Sequence, residues 1–494
     1  MIIFIDHNIR KFITISLQNY KIIDVLKSLD KKEIRKFGDF VSSPYYNKNR
    51  NVIRLFDVLL KFHPNFDNRN LAVEKIFKKV FPKEKYDYHK INNIVSDLYQ
   101  ISEKFLISLN FSKKEFAESK FLMNELRERG LNNLYEQKFN AGEKLLLAKE
   151  IQDEEYYFNL YEIYDEHLWY ISNVKPNTNF HILQSQFDSF LQYSLIRLLR
   201  FYSLMLHEQR QNNVDYKFTI RDELLSILDK SLFNESPSLL IYKNIIYLEL
   251  RKEREYYINL KNLRDKYLKV LSGRELQLIS IHMFGFIAYN INNLGDYSYY
   301  QDAFEINRHM IDIGLHSPKT LKYPDFLNIV KIASRAKEFE WVEKFIRDFK
   351  ICIPEEEKNN TLNFSYGVIN YSQDNLKKAL EFFSKSNFSN FIFKVQVKIL
   401  LCKTYYELNM YEQALSMIDS FRHYLLREKM IVDEHKESYY GFLKHLTQLI
   451  KIKEDINCKS GGMFAKIESE VTALTSNPFG VRHWLLEKIK AESA

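Results

Sequence analysis

Glycine and proline are scarce in this chain, and their scarcity restricts the folds open to it. The sequence contains 12 Gly and 9 Pro among 494 residues. That is about a third of the usual share of glycine and under half that of proline. An all-β fold needs such residues for the backbone geometry of its hairpins, whereas long helices joined by short loops need few. The composition therefore predicts an all-α protein.

The length of the chain predicts more than one compact core. A chain of 494 residues forms two or three domains or one extended helical array. Hydrophobic residues make up 46% and charged residues 28%, which is ordinary for a globular protein, so no long disordered span is expected.

Several other protein classes are disfavoured. Cys352, Cys402 and Cys458 are widely spaced and form no CxxC motif, so neither a disulfide framework nor a cysteine zinc site is predicted. The apolar residues 1–5 are followed at once by Asp6, which is not the order of a secretory signal. No run of about 18 apolar residues predicts a membrane span. We expect a cytoplasmic protein without a membrane partner.

Positive charge is concentrated in the first quarter of the chain. The whole sequence has 72 basic and 64 acidic residues, and residues 1–115 hold 22 and 13 of them. Helical periodicity predicts four or five short helices there, and Asp30 and Glu33 have the spacing of a capping box. Residues 1–115 are therefore predicted to form a basic N-terminal helical module. Within it, the string 43–49 resembles bacterial helical proteins, a resemblance that implies no activity.

Basic side chains of this module are candidate contacts for phosphates or for an acidic partner. They are Lys31, Lys32, Arg35, Lys36, Lys78 and Lys79. Acidic residues are interleaved with them, and no helix-turn-helix with a base-reading face is evident. The sequence leaves three roles open for these residues. They could form a solvated basic surface, a docking surface for an acidic partner, or a contact with nucleic acid.

Two helical hairpins between residues 363 and 421 share a pattern of small and aromatic residues. The first has Tyr366, Gly367, Tyr371, Leu376, Ala379 and Phe383. The second has Leu401, Cys402, Tyr405, Tyr406, Tyr411, Ala414 and Ile418. The two alanines are 35 residues apart. This pattern resembles the tetratricopeptide repeat, in which a small residue lets two helices cross closely.

Weaker forms of the repeat precede these two hairpins. One has Gly285 and Ala303, with three extra residues before the alanine position, and another has Val342 where alanine is usual. The resemblance implies a right-handed α-solenoid of antiparallel helical hairpins. The predicted segments are the module 1–115, divergent hairpins 116–270, repeats 271–425 and C-terminal capping helices 426–494.

No motif for catalysis, a cofactor or a metal is evident. The chain lacks a phosphate-binding glycine loop, a dinucleotide fingerprint and a nucleophile elbow. The triplets 165–167 and 433–435 each combine two acids with a histidine, but neighbours in sequence lie on different faces of a helix. We expect surface polar residues there. The sequence predicts no catalytic, cofactor or metal site and no enzyme.

The predicted function is a non-catalytic scaffold that binds a protein or peptide partner. The resemblance implies that the first helix of each repeat lines the binding surface. This makes Asn370, Tyr371, Tyr405 and Tyr406 candidate contacts, although Tyr371 and Tyr405 could equally pack inside their repeats. The alternative is a regulator whose basic N-terminal module contacts nucleic acid while the repeats sense a peptide or protein.

Overall fold

The fold is built from α-helices. The computed structural model describes residues 16–66, 71–174, 180–212, 214–230, 236–431, 433–454, 461–474 and 477–493. Over these ranges it contains 23 α-helices, short 3-10 and π turns and no β-strand. The all-α prediction is thus confirmed. The apolar start at residues 1–5 lies outside the described ranges, and no described helix is both long and apolar enough to cross a membrane.

The chain forms two compact units, and the first comprises residues 1–148 and 159–186. Its helices are α1 (Lys21–Ser28), α2 (Lys31–Ser42), α3 (Arg50–Leu60), α4 (Val73–Val80), α5 (Tyr88–Phe111), α6 (Glu115–Glu128) and α7 (Asn132–Leu147), with parts of α8 (Glu154–Val174) and α9 (Phe180–Asn212).

The capping box predicted at the start of α2 is present. The Asp30 carboxylate accepts from the backbone N–H of Lys32 at 2.6 Å, and the Glu33 carboxylate accepts from the N–H of Asp30 at 3.2 Å. Helix α2 ends at Ser42, and Ser43 is extended (φ −68°, ψ 123°) because the following Pro44 disfavours helical backbone there. Local sequence therefore determines both ends of this helix.

The expectation of surface polar residues at 165–167 holds for Asp165, which is exposed, and is wrong for the other two residues. Glu166 and His167 are buried. Arg127 Nε donates to Glu166 Oε1 at 2.7 Å, and the His167 ring stacks on Phe139 with centroids 3.5 Å apart. The two side chains do have different surroundings, because adjacent helix positions point in different directions. In the second triplet, 433–435, the side chains of the two acids lie outside the described set, and His435 is exposed as expected.

The second unit comprises residues 149–158 and 187–494. After α9 its helices are α10 (Arg221–Leu228), α11 (Pro237–Arg251), α12 (Arg254–Lys266), α13 (Gly273–Tyr289), α14 (Tyr299–Asp312), α15 (Tyr323–Arg335), α16 (Phe339–Phe349), α17 (Lys358–Ser372), α18 (Leu376–Ser384), α19 (Phe391–Glu407), α20 (Tyr411–Arg427), α21 (Asp433–Glu454), α22 (Gly461–Thr472) and α23 (Val481–Ser493).

The sequence predicts helix over 237–270, with the mixed-charge run 251–255 as a solvated face or a helix junction, and the structure divides this segment into α11 and α12. The run is the junction, where Lys252 adopts left-handed backbone (φ 53°). The Lys252 N–H donates to the carbonyl of Leu248 at 3.0 Å, which closes the end of α11. The structure thus selects the junction over an uninterrupted helix with a solvated face.

The last three hairpins of region 273–427 share one type of turn. Helices α15, α17 and α19 are each followed by a residue with left-handed backbone: Lys337, Asp374 and Asn409. The next N–H bonds back to a carbonyl five residues earlier, as from Asn375 to Asn370 at 2.8 Å, which is the Schellman ending of a helix. Five residues after each left-handed position is a fully buried small residue: Val342, Ala379 and Ala414. The turn and the small residue recur together, so the hairpins are similarly built.

Close packing of α17 against α18 depends on Gly367. A Cβ at this position would lie 2.5 Å from the ring of Phe383, a fully buried residue of α18. We therefore expect Gly367→Ala to lower the free energy of unfolding by about 1–2 kcal/mol, because overpacking outweighs alanine's better helix propensity. Urea denaturation measures the change. Asn363→Ala on the same helix is the control, and equal stability of both variants would contradict the close approach.

Candidate binding site around Trp484

The first helices of three hairpins in the second unit carry polar side chains that meet one another. Lys331 Nζ on α15 donates to Gln396 Oε1 on α19 at 3.1 Å. The Arg335 guanidinium, one turn further along α15, lies 5.8 Å from the ring of Tyr371 on α17. Burial lowers the pKa of Lys331 to about 8. Side chains from α15, α17 and α19 therefore form one polar surface.

Trp484 of the last helix, α23, inserts beside this surface. Its indole Nε1 donates to Glu407 Oε1 on α19 at 3.0 Å. The Tyr406 ring meets the indole edge-on with centroids 5.6 Å apart, and Lys403 Nζ lies 5.4 Å from the indole centroid. These contacts suit an indole, because it has an apolar ring and a single N–H donor. We name Tyr371, Lys403, Tyr406, Glu407, Trp484 and Lys488 the Trp484 site.

Two ion pairs hold α23 over the two turns that follow Trp484. Lys488 Nζ lies 2.8 Å from Glu407 Oε1, the same oxygen that accepts from Trp484. One turn later, Glu492 Oε1 lies 2.6 Å from Lys453 Nζ on α21. These side chains are largely shielded from solvent, so their attraction is screened less than that of an exposed pair.

The beginning of α23 contacts a distant part of the second unit. Asn477 Nδ2 donates to the carbonyl of Asn292 at 2.6 Å, in the turn that follows α13. His483 lies against Gly295, where a Cβ would come within 2.8 Å of the imidazole. Gly295 also has φ 71°, a conformation that favours glycine. Helix α23 and the residues just before it therefore contact three parts of the second unit: the turn after α13, helix α19 and helix α21.

The Trp484 site has perturbed titrating groups. Burial and then the Arg335 charge lower the pKa of Lys403 to about 7. Burial, followed by the Glu407 carboxylate, raises the pKa of Tyr371 well above its usual value. Arg335 and Lys488 disfavour the charged Lys403 amine, while Glu407 and Glu487 favour it. The Glu407 carboxylate at this site therefore holds an aromatic N–H donor together with a cation, both from α23.

The four candidate contacts predicted from the sequence have two different surroundings. Tyr371 and Tyr406 belong to the Trp484 site. Asn370 bonds within its own helix, with Nδ2 donating to the Tyr366 carbonyl at 2.8 Å, and Tyr405 packs between two apolar clusters.

Four members of this site were not predicted from the sequence: Lys403, Glu407, Trp484 and Lys488. A signal was present, since residues 403 and 407, and likewise 484 and 488, are four apart and share a helix face. Nothing in the sequence connected α19 with α23, which are separated by about 75 residues of intervening chain.

The six basic candidates of the N-terminal module all lie on the surface of the first unit. Lys31, Lys32, Arg35 and Lys36 are exposed on α2, and Lys78 and Lys79 are exposed on α4. Glu33 lies among the α2 group, and its carboxylate is engaged by the capping box. Lys79 Nζ also lies 5.4 Å from the Phe62 ring.

A charge exchange tests the Glu407–Lys488 pair. We expect Lys488→Glu and Glu407→Lys each to destabilise the protein, because each places like charges together. The double exchange should recover about 1 kcal/mol relative to the sum of the single changes. Urea denaturation of the four proteins completes the cycle. Strictly additive changes would show that the two side chains do not interact.

One group of histidine and carboxylate side chains in the second unit could hold a metal ion. Among the described residues, His207, Glu249 and His282 bring one ligand atom each within 4.8 Å of one another. They lie on α9, α11 and α13, and none of them belongs to the two triplets considered in the sequence. Comparison of the chain with protein-family models, with curated proteins and with solved structures found no match.

Proposed function

We propose that this protein is a non-catalytic helical-repeat scaffold that binds a helical segment of another protein at the Trp484 site. In this proposal the hairpins between residues 273 and 427 stack as a tetratricopeptide-like α-solenoid. The last helix, α23, occupies the binding surface when no partner is present. A partner then competes with α23 for the same contacts.

The observation that carries this proposal is the way α23 is held. An amphipathic helix bound in a groove is recognised through a few anchors at helical spacing. Here the anchors are Trp484 and Lys488, one turn apart and both bonded to Glu407. Tryptophan is a frequent centre of binding energy in protein interfaces. The chemistry that fits the surface is an amphipathic helix with an aromatic N–H donor and a basic residue four positions later.

Release of α23 from the Trp484 site should increase the amount of partner that the protein retains. We would immobilise the full-length protein and its Trp484→Ala variant, and pass the native lysate over each with and without nuclease. The variant should retain more of the same protein, and nuclease should not remove it. Lys490→Ala is the matched control, because Lys490 is exposed on the same helix.

A direct competition experiment identifies the surface that is bound. A labelled peptide of residues 478–493 should bind the Trp484→Ala protein at least about tenfold more tightly than the wild type, because the internal helix competes in the wild type. Adding Glu407→Gln to the Trp484→Ala protein should weaken its binding of the peptide. Equal binding to all three proteins would rule out the Trp484 site as the docking surface.

The exposed basic residues on α2 and α4 support the second candidate, a regulator that contacts nucleic acid through its N-terminal module. Such binding would fall steeply with salt. Replacing Lys31, Lys32, Arg35 and Lys36 by glutamine in the full chain should then abolish retention on single- and double-stranded DNA and RNA. Lysate capture that disappears after nuclease treatment would favour this candidate over the scaffold.

A further inference from the structure

Three helices of the second unit bring two histidines and a glutamate together. Glu249 lies on α11 and His282 on α13, and their side chains are 3% and 0% exposed. His207 on α9 is half-buried, and its ring centroid lies 5.6 Å from that of His282. Histidine and glutamate are seldom fully buried without a specific partner, so this cluster requires a physical explanation.

The contact between Glu249 and His282 leaves one ring nitrogen without a partner. His282 Nδ1 lies 2.6 Å from Glu249 Oε1. A carboxylate accepts, so Nδ1 carries the hydrogen in this pair. The other nitrogen, Nε2, is buried and has no hydrogen-bond partner. In a neutral ring Nε2 then holds an unshared lone pair.

An ion pair alone does not satisfy this cluster. If His282 were protonated, its Nε2 would be a buried donor with no acceptor. If it were neutral, Nε2 would be a buried acceptor with no donor. Either state has an uncompensated cost of desolvation. A metal ion beside Nε2 removes that cost, and a carboxylate on Nδ1 is the usual support of a metal-bound histidine.

We propose that His207, Glu249 and His282 form a binding site for a divalent transition-metal ion, with Zn²⁺ the best fit. The two imidazoles are the ligands, since nitrogen donors suit zinc, and water fills the remaining positions. Glu249 supplies negative charge and orients the His282 ring. The metal site stands apart from the proposed partner binding, since none of its three residues belongs to the Trp484 site.

The two histidines must come closer together to share an ion. Zinc ligands at 2.0–2.1 Å in a tetrahedron are about 3.4 Å apart. One ring nitrogen of His207 and one of His282 lie within 4.8 Å of each other here. His207 is the least enclosed of the three side chains, so we expect its ring to make the adjustment.

The test is a calorimetric titration of the chelator-treated full-length protein with Zn²⁺. We expect one ion per chain. His207→Asn and Glu249→Gln should each weaken binding by at least about tenfold. His309→Asn is the matched control: His309 is also half-buried and has a buried Nε2 without a hydrogen-bond partner, but it belongs to no such cluster among the described residues.

Cobalt gives a second readout that distinguishes these ligands from the cysteine thiols. Co²⁺ should produce visible ligand-field bands without a thiolate charge-transfer band, and the bands should be lost in His207→Asn. Far-UV circular dichroism verifies that each variant is folded. Absence of stoichiometric Zn²⁺ binding would overturn the proposal. Unchanged affinity in a folded His207→Asn protein, or thiolate bands with Co²⁺, would do the same.

Discussion

Replacing Trp484 by alanine is expected to lower the free energy of unfolding by about 3–5 kcal/mol, the usual cost of truncating a buried tryptophan. The indole is buried and contacts Tyr406, Lys403 and Phe442. Its loss also removes the donor to Glu407. Urea denaturation gives the free energy, and hydrogen exchange over residues 481–493 shows whether α23 itself is released.

Two results would separate local release from general destabilisation. If α23 is held mainly by this indole, exchange should rise in residues 481–493 before it rises in α17. The exposed Lys490→Ala control should remain within about 0.5 kcal/mol of the wild type. Unchanged protection of residues 481–493 in Trp484→Ala would contradict the anchoring role of the indole.

The second large effect concerns Lys403, whose buried amine has a pKa of about 7 against an ordinary 10.5. Between pH 7 and pH 10.5 this amine is protonated in the unfolded chain but not in the folded chain. Unfolding then takes up a proton, so the free energy of unfolding from this group rises with pH across this window. Below pH 7 the folded protein carries the full cost of the buried charge.

Lys403→Met should therefore stabilise the protein at pH 6–7, by an amount on the order of a few kcal/mol at most. The gain over the wild type should shrink as pH rises from about 7 to 10.5 and should disappear above that range. Methionine keeps much of the aliphatic volume without the charge. Urea denaturation at several pH values, with wild type and variant compared at each, measures this difference.

Lys378→Met controls for loss of a surface charge, because Lys378 is exposed on α18. This variant should follow the pH dependence of the wild type. A constant difference between wild type and Lys403→Met from pH 6 to pH 10.5 would show that the Lys403 amine does not change its charge state in the proposed window.

The sequence predicted helices best where the information was local. The capping box at Asp30 and Glu33 was recognised from two residues three positions apart, and the structure has the start of α2 there. The mixed-charge run 251–255 was compatible with a solvated face or a helix junction, and only the left-handed backbone of Lys252 shows that it is a junction.

The sequence also showed which residues in the hairpins must be small. Ala379 and Ala414 were identified by their spacing, and both are fully buried. Gly367 was identified in the same way, and the adjacent ring of Phe383 explains why no larger side chain fits. A repeat can be read in this way because each copy presents the same packing requirement at the same position.

What the sequence by itself determined is therefore the all-α class, the capped start of α2 and the small residues at helix crossings, since each depends on composition or on contacts within one hairpin. Only the tertiary structure decided that Trp484 meets Glu407 and that His207, Glu249 and His282 converge. Those residues come from helices far apart in the chain. Their meeting depends on how successive hairpins pack, and no local periodicity encodes that arrangement.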